Sequence, residues 1–213
     1  MFLLCLIANT MSADSPLTST DFYKAYESEP IVLAAARARG TLTKQIMDYL
    51  SDSEKPIDIK VAAINRLGWD VSGKSNASIF LNFMKEIQQL HKYGDSIIGT
   101  VNRDSLLSAD EEVISHLNSD ELLCYAYLKA MDNYFAVDEA LSLAERAVQM
   151  KPDSYTYCII AALIQAQKLM ESDGCEVYNV CNYVRMDTSL KSDMKTEAID
   201  IIFGYVDLYK CNK

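Results

Sequence analysis

The sequence predicts an all-α fold built from antiparallel helical hairpins. Glycine and proline are scarce, at 7 and 4 residues among 213, whereas folds rich in strands need more turn residues. Apolar residues recur with the helical period along most of the chain, and they do not alternate as they would in half-buried strands. Short connections between such helices favour antiparallel neighbours. Together these observations predict about ten helices joined by short turns.

The first half of the chain contains predicted helices with recognisable starts and ends. Pro30 is tolerated in the first turn of a helix, and Gly40 suits the position just after the end of that helix. Ile57, Val61 and Ile64 fall on one helical face, which predicts a helix ending at a glycine. The predicted helices of this half cover residues 19–26, 29–40, 41–53, 57–68 and 76–94.

The second half of the chain is more regular. Ser108 and Glu111 have the spacing of a capping box, in which each side chain accepts a hydrogen bond from the backbone of the other residue. Apolar helical stripes separated by short joints follow this start signal. The predicted helices of this half cover residues 119–135, 137–152, 154–172, 174–187 and 192–210.

Small residues in the segment DEALSLAERAVQMKPDS, residues 138–154, follow a distinct pattern. Ala140 is followed by Ala147 one heptad later, and Pro152 comes just after the predicted helix. This segment resembles the second helix of a tetratricopeptide repeat, in which small residues let neighbouring helices approach closely. Roughly residues 119–187 share the resemblance, which implies an α-α superhelix that binds proteins or peptides along a concave face, and does not imply catalysis.

The resemblance is incomplete at both ends. Cys124, Tyr127 and Leu128 stand where the family favours Trp, Leu and Gly, and the first hundred residues do not match the pattern. We therefore expect three parts: a leader at residues 1–13, an N-terminal helical region at 14–100, and tetratricopeptide-like repeats at 101–213 that end in a capping helix.

The leader has the form of the second half of a secretory signal peptide. Residues 2–8 are all apolar, and Met11, Ser12 and Ala13 offer a small residue at a cleavage point. No Lys or Arg precedes the apolar run, which a true start upstream of Met1 would explain. The run is too short to cross a bilayer as a helix. We expect a bacterial protein exported to the periplasm or the extracellular space; the alternative is a buried first helix in a cytoplasmic protein.

The cysteines divide into two groups by their surroundings. Cys124 and Cys158 lie among apolar residues and are expected in the core. Cys175, Cys181 and Cys211 lie in less apolar surroundings and are the disulfide candidates, with their pairing open. No C-x-x-C pair occurs, and the two histidines share no ligand spacing with the cysteines, so no metal site is expected.

The net charge of −10 excludes nucleic acid as the expected partner, because phosphate contacts need clustered Lys and Arg. Ten acids and two bases lie between Arg103 and Glu145. This block indicates either a solvated face or a surface for a basic protein or peptide. The candidate residues for binding such a partner are Asp120, Glu121, Tyr127, Asp132 and Tyr134.

The segment GWDVSGKS matches the phosphate-binding loop G-x-x-x-x-G-K-[ST], with Gly68, Gly73, Lys74 and Ser75 at the specified positions. Such a loop needs a buried strand before it, whereas residues 57–67 have a helical period. Asp70 within the loop would also repel phosphate. We interpret the segment as a turn between helices in which Trp69 packs as an anchor, and a nucleotide-binding protein is the alternative.

No other motif indicates catalysis. The chain has no G-x-S-x-G nucleophile elbow and no H-E-x-x-H zinc motif. The sequence therefore predicts a non-enzymatic helical scaffold that binds a protein or peptide and needs no cofactor. An enzyme with an unrecognised motif is the remaining alternative.

Overall fold

The computed structural model describes residues 15–69, 75–95, 108–170 and 174–211, with side chains described up to residue 90 in the second of these ranges. These residues form ten α-helices and two 3₁₀ turns, and they contain no strand beyond one isolated bridge between Ser154 and Lys191. The predicted all-α class is therefore confirmed for the described parts of the chain. The helices are α1 (Pro30–Arg37), α2 (Lys44–Ser51), α3 (Ile57–Leu67), α4 (Asn76–Asp95), α5 (Ala109–Ser115), α6 (Ser119–Asp132), α7 (Asp138–Met150), α8 (Tyr155–Leu169), α9 (Gly174–Met186) and α10 (Thr196–Val206).

Several helix ends are those that the sequence predicts. Pro30 is the first residue of α1, and Gly40 lies after its end with a φ of 82°. Gly68 caps α3 with a φ of 79°, a backbone conformation in which a side chain would be strained. Ser108 and Glu111 form the predicted capping box at the start of α5. The ends of these helices are thus determined by local sequence signals.

Helices α6, α7, α8 and α9 pack in series, each against the next. The links between α6 and α7 and between α7 and α8 are only a few residues long, which favours antiparallel neighbours. Ala140 and Ala147 of α7 are buried, at 1% and 0% exposure, as close helix packing requires.

The two ends of the described chain meet. Helix α10, expected to cap the repeats, packs mainly on the 3₁₀ turn Phe22–Tyr26 and less on α9. Helix α3 packs on α1, on the same 3₁₀ turn and on α6, so it connects the first half to the second. The buried apolar residues consequently form one continuous core that includes residues from both halves.

Candidate functional site

An ion pair with a fully buried lysine joins three helices. Lys60 of α3 is fully buried, and its Nζ lies 2.8 Å from Oδ2 of Asp120 in the first turn of α6. The hydroxyl of Tyr157, on α8, donates a hydrogen bond to the other carboxylate oxygen of Asp120. We call Lys60, Asp120 and Tyr157 the α3–α6–α8 junction. Burial raises the pKa of Tyr157 well above its usual range, so its hydroxyl stays protonated as a donor.

A second set of polar contacts links α3 and α8 to the segment that precedes α10. The hydroxyl of Tyr26 donates to Asp58 Oδ2 at 2.9 Å and accepts from the backbone N–H of Lys195 at 3.0 Å. Asp193 accepts hydrogen bonds from the Ser154 hydroxyl and, at 2.8 Å, from the Thr156 backbone N–H. Burial raises the pKa of the Asp58 carboxyl.

These acidic and basic groups are engaged with one another. The ammonium of Lys60 and both oxygens of Asp120 have protein partners, and Lys60 has no exposed surface. A buried charge that is paired and hydrogen-bonded is tolerated, whereas an unpaired one is very costly. The arrangement therefore favours a structural role, in which the junction fixes α3, α6 and α8 relative to one another.

The candidate partner-binding residues occupy structural positions. Asp120 belongs to the junction, and Glu121 forms a capping box with Asn118, whose backbone N–H donates to Glu121 Oε2 at 2.8 Å. Tyr127 has no exposed surface, and its hydroxyl accepts a hydrogen bond from Asn65 at 3.1 Å.

The remaining two candidates support the start of α4 and the neighbouring turn. Asp132 accepts a hydrogen bond from the Ala77 backbone N–H at 2.7 Å. Tyr134 is 7% exposed and packs edge-on against Trp69, with ring centres 5.2 Å apart. The structure thus distributes the five candidates over separate contacts, and a partner-binding role for them stays a prediction.

The phosphate-loop motif follows a helix in the structure. Helix α3 leads directly into Gly68, where a nucleotide-binding loop would follow a strand. Trp69 is 38% exposed and packs on Tyr134, as an anchoring residue would. Ser75 precedes α4, and its carbonyl accepts the hydrogen bond from Ile79 that closes the first turn. Gly73 and Lys74 lie outside the described residues.

An open groove of about 650 Å³ is lined by residues of α7, α8 and α9. Its floor is α8, one wall is α7, and the other wall is α9; we call it the α7–α9 groove. Its surface is mainly apolar, with contributions from all three helices. The lining residues are Leu141, Glu145, Val148, Gln149, Cys158, Ala161, Ala162, Gln165, Glu176, Asn179, Val180, Tyr183 and Val184.

Charges of one sign flank this apolar surface. Glu145 lies on the α7 wall and Glu176 on the α9 wall, and both are exposed. No Lys or Arg is among the residues that line the groove. Tyr183 stands at the rim with 79% of its surface exposed. The groove thus combines an apolar floor, an exposed aromatic ring and two carboxylates open to solvent.

Helix α9 has two apolar faces, and the sequence contains a signal for the second one. Val177, Cys181 and Val184 form the buried stripe that packs on α8. Val180 and Tyr183 lie off this stripe yet are apolar, and they face the groove. Apolar residues outside the core stripe of an amphipathic helix indicate a second contact surface. The partner surface predicted from the sequence lies instead on α6 and just after its end.

Two of the three disulfide candidates form a disulfide bond, and the third, Cys181, is free. Cys175, at the start of α9, pairs with Cys211, with Cα atoms 5.5 Å apart. Cys181 and Cys124 are free and buried, and burial raises the pKa of each thiol to about 12. Cys158, expected in the core, is only partly buried and contributes to the groove.

Within the parts of the chain that the structure describes, no group of His, Cys, Asp and Glu side chains could hold a metal ion. None of the described helices has the length and apolar character needed to cross a bilayer.

Comparison with protein families, curated proteins and solved structures finds no match to this chain. The fold and the groove therefore define its class: an all-α protein with an open groove formed by three consecutive helices.

Proposed function

We propose that this chain is a non-enzymatic, tetratricopeptide-like scaffold that binds an amphipathic helical segment of a partner protein in the α7–α9 groove. The partner segment presents an apolar face to α8 and carries Lys or Arg at its flanks. The observation that supports this proposal is the apolar floor between two walls whose groove-lining residues include one carboxylate each and no Lys or Arg. An amphipathic helix laid in a groove is a common mode of peptide recognition.

The apolar surface provides the contact area for such a segment. Val148, Ala161 and Val180 are only partly buried, so an apolar partner face would remove them from water. Tyr183 adds an exposed aromatic ring at the rim, and aromatic residues are enriched where protein interfaces contribute most affinity. These contacts favour a helix with apolar residues at helical spacing.

The two carboxylates favour positive charge on the partner. Glu145 and Glu176 lie on opposite walls, and the whole chain carries a net charge of −10. Complementary charge at the rim of an interface mainly increases the association rate and selects among partners. Association should therefore slow as salt rises, because a Debye length of about 8 Å at physiological ionic strength screens exposed charges.

We also propose export to an oxidising compartment, in a bacterium, as the location of this binding. The Cys175–Cys211 disulfide supports this, because disulfides form and persist in the periplasm and outside the cell. The leader-like residues 2–8 support it independently.

A pair of synthetic peptides tests the binding mode. Both have about 20 residues, enough to form a helix, with Leu at positions i, i+3, i+4 and i+7. One carries Lys at its flanks and the other carries Glu. The Lys peptide should bind about tenfold more tightly in calorimetric titration, since each rim ion pair contributes roughly 0.2–1 kcal/mol and like charges oppose binding.

Variants of the groove locate the binding. Changing both Glu145→Lys and Glu176→Lys should reverse the preference between the two peptides. Tyr183→Ala should weaken both peptides, and its exposure makes the change safe for folding. Asp200→Lys, on the exposed face of α10 outside the groove, is the matched charge control and should leave both affinities unchanged. If neither peptide binds, or if Asp200→Lys acts as strongly as the groove variants, the proposed function is wrong.

A further inference from the structure

One wall of the α7–α9 groove is joined covalently to the C-terminal end of the described chain. Cys175 lies in the first turn of α9. It forms a disulfide with Cys211, which follows the 3₁₀ turn Asp207–Tyr209. The next residue along α9 is Glu176, one of the wall residues of the groove. The bond therefore anchors α9 at the end where its groove surface begins.

Besides the disulfide, α9 packs on the 3₁₀ turn Asp207–Tyr209 and on α10, and the Arg185 guanidinium lies 4.1 Å from the centre of the Phe203 ring. Arg185, near the far end of the helix, pairs with Asp207 at 3.0 Å, but the two side chains are 29% and 47% exposed. Exposed ion pairs contribute little to stability. Lys210 is exposed, and its Nζ lies 5.7 Å from the centre of the partly buried Tyr178 ring. The disulfide is thus the covalent attachment of the first half of α9 to the C-terminal segment, which otherwise rests on non-covalent contacts.

The inner side of α9 shows what would move if this attachment were lost. Val177, Cys181 and Val184 form the stripe that packs on α8, and Cys181 has no exposed surface. Val180 and Tyr183 lie on the groove side of the same turns. Any separation of α9 from α8 would therefore expose Cys181 and displace the groove wall together.

We propose that the Cys175–Cys211 disulfide is a redox-sensitive clamp on the α9 wall of the groove. The intact bond holds α9 against α8 and keeps the groove formed. Reduction lets the first half of α9 open from α8, which weakens the binding of a partner segment. The effect on partner binding rests on the proposed function, whereas the opening of α9 does not.

The reduction needs only a dithiol, and the bond is accessible to one. Cys211 is exposed, so a thiolate of the reductant can reach its sulfur. Attack there breaks the S–S bond and releases Cys175 as a thiolate, which takes up a proton. The second thiol of the reductant then displaces Cys211 from the mixed disulfide and leaves as a cyclic disulfide. The protein gains two electrons and two protons, and the dithiol loses them.

The free cysteines report on the opening without any partner. The full chain is treated with a small alkylating reagent, and peptide mass mapping measures the modification of each cysteine. In the oxidised protein, Cys181 and Cys124 should react slowly because both are buried and protonated. In the Cys175→Ser/Cys211→Ser variant, the reaction of Cys181 should become faster by about tenfold or more, because local opening limits the reactivity of a buried group.

Two controls separate local opening from general loss of structure. Cys124 of α6 lies outside α9, so its reaction should stay slow in the double variant. Cys158→Ser removes a groove cysteine that forms no disulfide, and it should leave the reaction of Cys181 unchanged. The wild-type chain reduced by a dithiol should behave as the double variant does, which keeps the test valid if the variant folds poorly.

The outcomes distinguish the clamp from the proposed function. Slow reaction of Cys181 in both reduced forms, or equal acceleration at Cys181 and Cys124, would overturn the clamp. Selective acceleration at Cys181 supports the clamp even if the Lys-flanked peptide fails to bind. If that peptide binds the oxidised protein, the clamp further requires weaker binding to both reduced forms; equal affinity would show that the bond does not regulate the groove.

Discussion

Two neighbouring faces of α8 lie in different environments, although acidic residues are present at both. At one face, Tyr157 contacts Asp120, whose charge is matched by the buried ammonium of Lys60. At the other face, Ala161 and Gln165 form the floor of a groove whose walls carry Glu145 and Glu176. The carboxylate of Asp120 thus holds helices together at the junction, whereas the carboxylates of Glu145 and Glu176 at the groove are exposed to solvent.

This difference shows why an acidic composition does not by itself locate a binding surface. The block from Arg103 to Glu145 contains ten acidic residues, but these residues make different contacts in the structure. Asp120 pairs with Lys60, and Glu121 caps the start of α6. Only acidic residues without internal partners can interact strongly with a partner protein, because the new contact then breaks no contact within the chain.

The largest effect is expected where the junction is broken on one side. Asp120→Ala leaves the fully buried Lys60 without its carboxylate, and removing one partner of a buried ion pair costs about 3–5 kcal/mol. Urea denaturation of the variant and the wild-type chain measures the free energy of unfolding.

Removing both charges tests the reason for this loss. The Lys60→Met/Asp120→Ala variant no longer buries an unpaired ammonium, so it should recover much of the lost stability. A loss below about 1 kcal/mol for Asp120→Ala alone would contradict the structural role of the junction, because such values are typical of exposed pairs.

A smaller effect is expected on α7, where a buried position and a groove position lie two residues apart. Ala147 has no exposed surface, so Ala147→Glu should lower the free energy of unfolding by about 2 kcal/mol or more, through overpacking and burial of a charge. Glu145→Ala, on the exposed wall, should be nearly neutral. Chemical denaturation of both variants compares them, and equal small losses would contradict the packing of α7 described here.

The helices could be predicted from the sequence because their signals are local. The apolar period, the glycine after α3 and the capping box at Ser108 and Glu111 each involve residues only a few positions apart. Residues 57–67, which precede GWDVSGKS, form a helix for the same reason, since they carry a helical period.

The candidate site was less predictable because it depends on contacts between distant residues. Nothing near Asp120 in the sequence indicates that Lys60 neutralises it, and nothing near Tyr127 indicates that Asn65 covers its hydroxyl. Spacing also could not decide which two of Cys175, Cys181 and Cys211 are bonded, since that choice depends on where the C-terminal segment returns to α9.

The smallest effect is expected from pH. The change in stability with pH should have opposite signs for the half-buried carboxyl of Asp58 and for an exposed carboxyl. Burial raises the pKa of Asp58, against the opposing effects of the Tyr26 hydroxyl and Lys195 and with a further rise from Asp193. A carboxyl whose pKa is higher in the folded state stabilises the fold most at pH values below its unfolded pKa of about 3.9. That contribution is lost as pH rises through the folded-state pKa.

Asp58→Asn should therefore gain stability relative to the wild-type chain as pH rises from about 3 to about 7, because asparagine cannot ionise. Glu111 provides the opposite case, since a hydrogen bond from the Ser108 backbone N–H lowers the pKa of that exposed carboxyl. Its contribution is present above the unfolded pKa and is lost as pH falls, so Glu111→Gln should lose stability relative to wild type over the same rise in pH. Urea denaturation at several pH values measures both differences. Slopes of the same sign for the two variants would mean that burial does not dominate at Asp58, and that this acid behaves as a surface group despite its contacts with Tyr26 and Lys195.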